Sequence, residues 1–303
     1  MSDEDQHDGL FAIGGDVYHW DDVVRLAKAR GEWSELEAEV RAGQEALAEL
    51  GARGERPDDD DVEAAARRFR YERDLLAADE LDGWLEQHRI TEDEWEGYLR
   101  RAAAREQLPE ATGETRREVS EGEIWCEGVC SGRLAELAND LARLAAVSPG
   151  TAVEQLDAAF ADFRAAAVDA PSVAREVELN RLEWLRFTYE GLAADDEGAA
   201  LEAALCIRTD GEPIEAVAGR ASLPLLEEEC WLEELDPALA TRFLAATTGD
   251  LVGPISVEDG FVVVRVTSKT APSLEDADVR ARAREGALER AVERLVTDRV
   301  VWR

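Results

Sequence analysis

Apolar residues recur at helical spacing over most of the chain and switch to extended patterns in a few short stretches. The clearest extended run is Phe261 to Val266, an aromatic followed by β-branched residues, with Arg265 its one charge. A run that apolar needs cover on both faces, so it predicts a central strand. Ahead of it, Glu258-Asp259-Gly260 suits a tight hairpin, because Asp-Gly supplies the positive φ that such a turn demands. Ile255 to Val257 reads as a short extended piece, with Gly249 and the Gly253-Pro254 pair as breaks before it. Leu185 to Leu192 alternates apolar with polar and predicts another strand. Phe11-Ala12-Ile13 and Val17-Tyr18, on either side of Gly14-Gly15, predict a small β-arm.

Start and stop signals mark helices between these. Trp20-Asp21-Asp22 opens one with an aspartate as cap, and Val23, Val24, Leu26 and Ala27 carry it to a stop at Gly31. Ser34, with Glu37 three residues on, has capping-box spacing and leads a helix through Leu36, Val40, Leu47 and Leu50. Arg56-Pro57 breaks the chain before a run of aspartates, and Val62, Ala65, Phe69 and Leu75 stripe the helix beyond. A short helix follows from Ala78 through Trp84-Leu85. Thr91 with Glu94 caps the next, which carries Trp95, Tyr98 and Leu99. Leu134, Leu137, Leu141 and Leu144 mark one further helix, and Val153, Leu156, Phe160 and Phe163 another. Ser148-Pro149-Gly150 separates them, and Ala170-Pro171-Ser172 breaks the chain before Val173 to Leu182. Residues 195–208, 213–218 and 238–246 predict three short helices, the last started by Asp236-Pro237. Leu274 opens a long helix with Val279, Ala283, Leu288, Ala291 and Leu295 on one stripe, which needs a partner surface. Val300-Val301-Trp302 is strand-like.

This order divides the chain into a solvated tail over 1–9, a helical domain over 10–117 and a second helical section over 118–182. A unit reading β-α-α-α-β-β follows over 183–272, then a C-terminal helix and strand over 273–303. The polar stretch 107–115 is the first linker. The fold class is α+β, mostly helical.

Charge changes this picture. Asp and Glu total 69 against 34 Lys and Arg, for a formal −35, and the basic residues are arginine except Lys28 and Lys269. Such a surface repels nucleic acid and anionic membranes and steers basic partners toward it. A GC-rich genome or a salty cytoplasm would produce the same acidity with no partner implied. With no long apolar stretch, no membrane span is expected. The acidic N-terminus lacks a signal peptide's basic start and apolar core, so a cytoplasmic location is expected. Cys126, Cys130, Cys206 and Cys230 fit reduced thiols. Cys126 and Cys130 stand four apart and could face each other on a helix. Without a second ligand pair no metal is expected, and no motif calls for a cofactor. Phosphate loops, nucleophile elbows and HExxH helices are absent from the sequence.

Gly249 to Ile255, followed by Gly260-Phe261 and the apolar strand, resembles the closing hairpin of the parvulin-type peptidyl-prolyl isomerases. Gly211-Glu212-Pro213-Ile214 through Val217-Ala218 is similar to their Gly-x-x-Phe-x-x-Leu-Ala segment. Ala12-Ile13-Gly14, Pro57 through Val62 and Thr91 through Trp95, in that order, resemble the N-terminal domain of SurA-type chaperones. The resemblance implies a SurA-like helical domain, an inserted parvulin-like unit, and a C-terminal helix that returns to the N-terminal domain. Arg67 to Leu75, Trp84-Leu85, Arg208 to Gly211, Gly249 to Ile255 and Pro272-Ser273-Leu274 are similar to a branch tied to maturation of ribosomally made peptide natural products.

The isomerase chemistry of that family uses two histidines around a central Cys or Asp, beside an apolar proline pocket. The chain holds only His7, His19 and His88, all ahead of the parvulin-like unit. The family positions fall around Phe187-Thr188 and on Val262. Neither Cys206 nor Cys230 can be placed at the centre. His88 reads as a solvated helix end and His19 as a loop residue. The pocket's Met and Phe positions fall near Leu235 and Leu239, and Phe187, Trp231, Phe243 and Phe261 complete the candidate peptide-binding set. Each of these alone could equally be core. No catalytic residue is assigned.

The expected function is a peptide-binding chaperone or maturation partner that keeps a foldase scaffold without its isomerase chemistry. Its client would be a precursor peptide or unfolded polypeptide, basic if the charge is selective, held in an apolar cleft between helical body and parvulin-like unit. Exposed strand edges would add main-chain pairing. An active isomerase with an altered site and a non-catalytic scaffold subunit of a peptide-modifying enzyme remain the alternatives.

Overall fold

The structure is a computed structural model that describes residues 9–111 and 118–303. The tail expected over 1–9 lies outside the described residues except for Gly9, and so does the 112–115 part of the linker. Two compact units emerge, Met1–Phe163 with Val292–Arg303, and Arg164–Ala291. The fold is α+β and mostly helical, with two small antiparallel sheets. No helix among the described residues is long and apolar enough to cross a membrane.

The first unit is a helical body closed by a three-stranded sheet. Strands β1 (Phe11–Ile13) and β2 (Asp16–Tyr18) form the expected arm, followed by α1 (Trp20–Arg30), α2 (Glu32–Ala52), α3 (Asp59–Glu72), α4 (Ala78–Gln87) and α5 (Glu92–Gln107). After residues 112–117 come α6 (Glu121–Cys130), α7 (Arg133–Val147) and α8 (Leu156–Ala167). The section expected to stand apart over 118–182 is therefore shared out. Ile124, Leu134, Leu141 and Leu156 join Phe11, Leu26 and Leu36 in one core, while residues beyond 163 belong to the second unit.

Two helix starts differ from the expected ones. The α1 cap is His19, and Asp22 acts from inside the helix by accepting the His19 N–H at 2.9 Å. Gly31, at φ 83°, ends α1 and begins α2 directly, so Ser34 lies in the first turn and is not the cap. Thr91 caps as its spacing requires, taking the Glu94 N–H at 3.3 Å.

The long helix α13 (Ala277–Arg299) delivers strand β7 (Val300–Trp302) to the first unit. There β7 pairs antiparallel with β1, setting Trp302 opposite Phe11 with ring centroids 5.2 Å apart. Leu295, Val296 and Val300 pack on the same core, and Arg299 Nη1 donates to the Ala146 carbonyl at 2.7 Å. The chain's last helix thus completes the domain that its first strand began.

The second unit contains α9 (Ala170–Leu179), β3 (Arg186–Ala194), α10 (Glu197–Thr209), α11 (Ile214–Ala221), β4 (Leu225–Trp231), α12 (Pro237–Ala245), β5 (Leu251–Val257) and β6 (Gly260–Thr270). Its sheet runs β4-β3-β6-β5, so the apolar β6 is interior as its composition demands. Helices α10 and α11 cover one face, packing Ala200, Ile207 and Ile214 on Leu192 and Val263. Helix α12 covers the other, with Phe243 among Phe187, Val262, Val264 and Val266.

Strand β4 escapes the alternation rule because Glu227, Glu228 and Glu229 interrupt it. It forms because β3 offers a ladder from Arg186 to Leu192. The hairpin also differs in detail. The turn residues are Glu258 and Asp259, and Gly260 at φ 128° already pairs with Val257. A Cβ there would stand 2.6 Å from the Ala194 carbonyl oxygen, so glycine is needed for both conformation and space.

One charge is wholly inside the first unit. Glu127 is 0% exposed and holds Arg101 Nη2 at 3.3 Å and Arg105 Nη2 at 2.6 Å. Gly43 leaves room for the Arg101 stem, since a Cβ there would meet Arg101 Cβ at 2.7 Å. Glu127→Ala strands Arg101, itself 6% exposed, without its carboxylate. The expected loss is about 3–5 kcal/mol, read as a lowered urea midpoint with unchanged slope.

Candidate functional site

The candidate site is built on the α12 face of the sheet. Asp236 accepts the Ala238 N–H at 2.8 Å, and Pro237 pre-sets the first turn, which fixes where α12 begins. That start places Phe243 edge-on to Phe187 and to Tyr189, each with ring centroids 5.2 Å away. Leu235 and Leu239 lie half-buried against the same cluster. Four of the six sequence-predicted residues are therefore together. Phe187 and Phe243 are both 0% exposed, so as they stand they form floor and no ligand reaches them.

The other two sit elsewhere. Trp231 packs with Val173, Val177 and Val279, and its ring is flanked by the guanidiniums of Arg186 at 4.3 Å and Arg282 at 4.5 Å. Arg282 is anchored by Glu233 and by Glu234 at 3.0 Å. Phe261 packs against the opposite sheet face, beside Leu192 and Val263. Alternation along β6 sends it away from Val262, and the sequence carried that information once β6 was recognised.

The positions expected for the two family histidines do not meet either. Phe187 pairs with Lys269, whereas Val262 pairs with Ala193. Those rungs are six residues apart on β3, about 20 Å at the rise of a strand. Val262 is surrounded by apolar neighbours and is 9% exposed. A hydrogen-bonded relay through this pair of positions is geometrically excluded.

Polar groups on this face include Tyr189, Cys230 and Lys269, whose Nζ donates to the Leu244 carbonyl at 2.7 Å. The Tyr189 hydroxyl donates to Glu228 at 2.6 Å, and burial, followed by that carboxylate, pushes its proton affinity up. Cys230 is pushed up to about 11, first by burial and then by Glu234, Glu228 and Glu229. Cys206 lies on the other face, where its sulfur and the carboxylates of Asp210 and Glu212 are within 4.8 Å of one another. Arg220 Nη1 already holds Glu212 at 2.6 Å, which fills the role a cation would take there. Cys126 and Cys130 do face each other on α6, buried, with sulfurs 3.8 Å apart.

Two cavities of about 700 Å³ lie away from these residues. One, in the second unit, runs along Gly249 to Ile255 and is rimmed by Arg208, Arg242 and Arg265; none of the six predicted residues lines it. Arg208 Nη2 donates to the Leu251 and Gly253 carbonyls at 3.4 and 3.3 Å. The other, in the first unit, brings together His19, His88, Trp20, Trp33 and Trp125. His88 is thus no solvated helix end, nor His19 a bare loop residue. Trp125 Nε1 donates to the His88 carbonyl at 2.9 Å, and burial, then Arg73, holds the His88 imidazole below its ordinary range despite the Trp84 carbonyl. Only tertiary packing joins residues 19, 33, 88 and 125, so no local motif could announce them.

No protein-family model matches the chain, and no curated protein matches it. Among solved structures, it aligns with the peptidylprolyl isomerase PrsA of Bacillus cereus at 11% identity and a TM-score of 0.31, over 96% of this chain and 90% of that one. The foldase PrsA of Streptococcus pneumoniae aligns at 11% identity and 0.30, over 95% and 91%. A structure from work on PEB4 and Cj1289, SurA-like chaperones of Campylobacter jejuni, aligns at 10% and 0.24, over 69% and 90%. Likenesses this remote assign no family.

The raised Cys230 thiol has a direct readout. Moving from the ordinary 9.0 to about 11 lowers the thiolate fraction at pH 8 about 100-fold. Iodoacetamide labelling followed by mass spectrometry is therefore expected to be slower at Cys230 by that factor than at an ordinary thiol. The gap should close as pH rises through 11. Equal rates at pH 8 would contradict the burial described.

Proposed function

We propose that this chain is a peptide-binding chaperone whose sheet unit keeps a foldase-type scaffold without prolyl isomerase catalysis. The observation that carries the reading is Val262. It is buried among Val264, Val266 and Ile255, at the position where the parvulin resemblance calls for an imidazole. No histidine of the sequence lies within Arg164–Ala291, so no other residue of that unit supplies one. An apolar sheet under a short helix can retain a chain segment, but it cannot relay a proton.

The client is an unfolded polypeptide, and more narrowly a ribosomally made precursor peptide handled beside a modifying enzyme. The compartment is the cytoplasm, which four free cysteines suit. Leu235, Leu239 and Trp231 are the half-buried members of the predicted set and are placed in peptide contact. Phe187 and Phe243 support Leu235 and Leu239 from below, and Phe261 holds the other face of the same sheet.

Two assays on the full chain test this reading. Suppression of aggregation of a chemically unfolded client, followed by light scattering, is expected at near-stoichiometric ratios. Cis–trans isomerisation of proline tetrapeptides is expected to stay at the uncatalysed rate, tens of seconds or longer at 25 °C. Catalysis above background would replace the proposal with the isomerase reading. Absence of suppression would remove the chaperone.

A further inference from the structure

The four-stranded sheet ends on β4, whose outer side carries no strand among the described residues. The antiparallel register decides which backbone groups face outward. Ala193 N–H donates to the Pro224 carbonyl at 3.1 Å, and Leu232 N–H to the Leu185 carbonyl at 2.9 Å. Alternation then makes Leu226, Glu228 and Cys230 bond back to β3, while Leu225, Glu227, Glu229 and Trp231 turn N–H and C=O away from it. The Glu234 carboxylate caps the Trp231 N–H at 2.9 Å. No such cap serves Leu225, Glu227 or Glu229 among the described residues.

The side chains of the same outward residues are unbalanced. Glu227 stands opposite Glu190, and Glu229 opposite Thr188. The Glu190–Glu227 rung exchanges no hydrogen bonds, the kind in which side chains come closest, so like charges oppose each other there. Arg265 relieves Glu190 at 3.1 Å, and Arg186 reaches Glu229 at 3.4 Å. Glu227 has no cation among the described residues. Leu225, two positions along, is 55% exposed.

Charges on an edge strand commonly guard against sheet-to-sheet association. A glutamate set against another glutamate goes further, because it weakens its own strand, and Glu227 itself gains a cation only if one comes from outside the described residues. A second copy of the chain does not fit, since two β4 edges would bring glutamates together on molecules of formal charge −35.

We propose that β4 is a docking edge for an extended polypeptide segment bearing lysine or arginine, which adds as a further antiparallel strand. Its main chain takes the outward groups of Leu225, Glu227 and Glu229. Its basic side chains, two positions apart, face Glu227 and Glu229, and an apolar side chain faces Leu225. This rests on the peptide-binding reading above and gives it a location and a sequence preference.

The test uses the full chain and three labelled peptides of matched length, followed by fluorescence anisotropy. One carries Lys, Lys and Val at three alternate positions with Thr between them, one replaces each Lys by Glu, and one keeps the Lys pair but carries backbone N-methyl groups on those alternate residues. The Lys peptide is expected to bind. The Glu peptide and the N-methylated peptide should each bind at least about tenfold more weakly, the first through charge and the second through lost main-chain bonds. Glu227→Lys should weaken the Lys peptide about fivefold while raising the urea midpoint, because it now pairs with Glu190. Equal binding of the N-methylated peptide, or of the Lys peptide to Glu227→Lys, overturns the docking edge. So does failure of the Lys peptide to bind. If aggregation suppression persists in any of those cases, the chaperone reading stands without this edge; if suppression is also absent, both fall.

Discussion

Everything in this architecture depends on the pairing of the chain's two ends. Strand β7 is three residues long and would not persist alone, yet it lies in register on β1 from Ile13 to Phe11. It brings Trp302 against Phe11, while Leu295 and Val296 of α13 seat on the helical core behind it. The sheet unit is thereby bracketed at both ends. Residues before it and after it must fold into one body before the first core is complete.

The second unit shows how a four-stranded sheet divides its labour. Both faces of β6 are covered, Val263 by α10 and α11 and Val262 by α12. Two helical covers leave little apolar surface for a client on the faces themselves, which is why Phe187 and Phe243 are fully buried. What remains accessible is the rim at Leu235 and Leu239, the arginine-edged cavity along β5, and the acidic edge of β4. Among the described residues, main-chain groups and charges without partners in this unit are therefore found at its margins.

The acidic composition has a structural side. Inside the first unit the fully buried Glu127 carboxylate is held by two guanidiniums, and the nearly buried Asp22 by one, that of Arg25. On the surface many arginines are committed to nearby acids, as Arg30 is to Asp140 and Asp157 and Arg133 to Glu35 and Glu39. Arginines at such a ratio are spent locally. Long-range attraction of cationic segments is what an uncompensated remainder leaves behind.

Periodicity and capping chemistry determined most helices of the first unit, though not the caps of α1 and α2, and the β6 strand with its hairpin, because those signals lie within a few residues of one another. Asp236-Pro237 likewise determined where α12 begins, and the sequence alone shows that no histidine follows residue 88. Tertiary structure alone decided that β4 is a strand, since its three glutamates defy alternation and only the ladder offered by β3 makes it extended. It also decided that Phe261 and Phe243 lie on opposite faces, that residues 19, 33, 88 and 125 share one cavity, and that Glu227 opposes Glu190. Each of these is a relation between residues far apart in the chain, set by strand register and helix packing, and register is fixed only when the whole sheet closes.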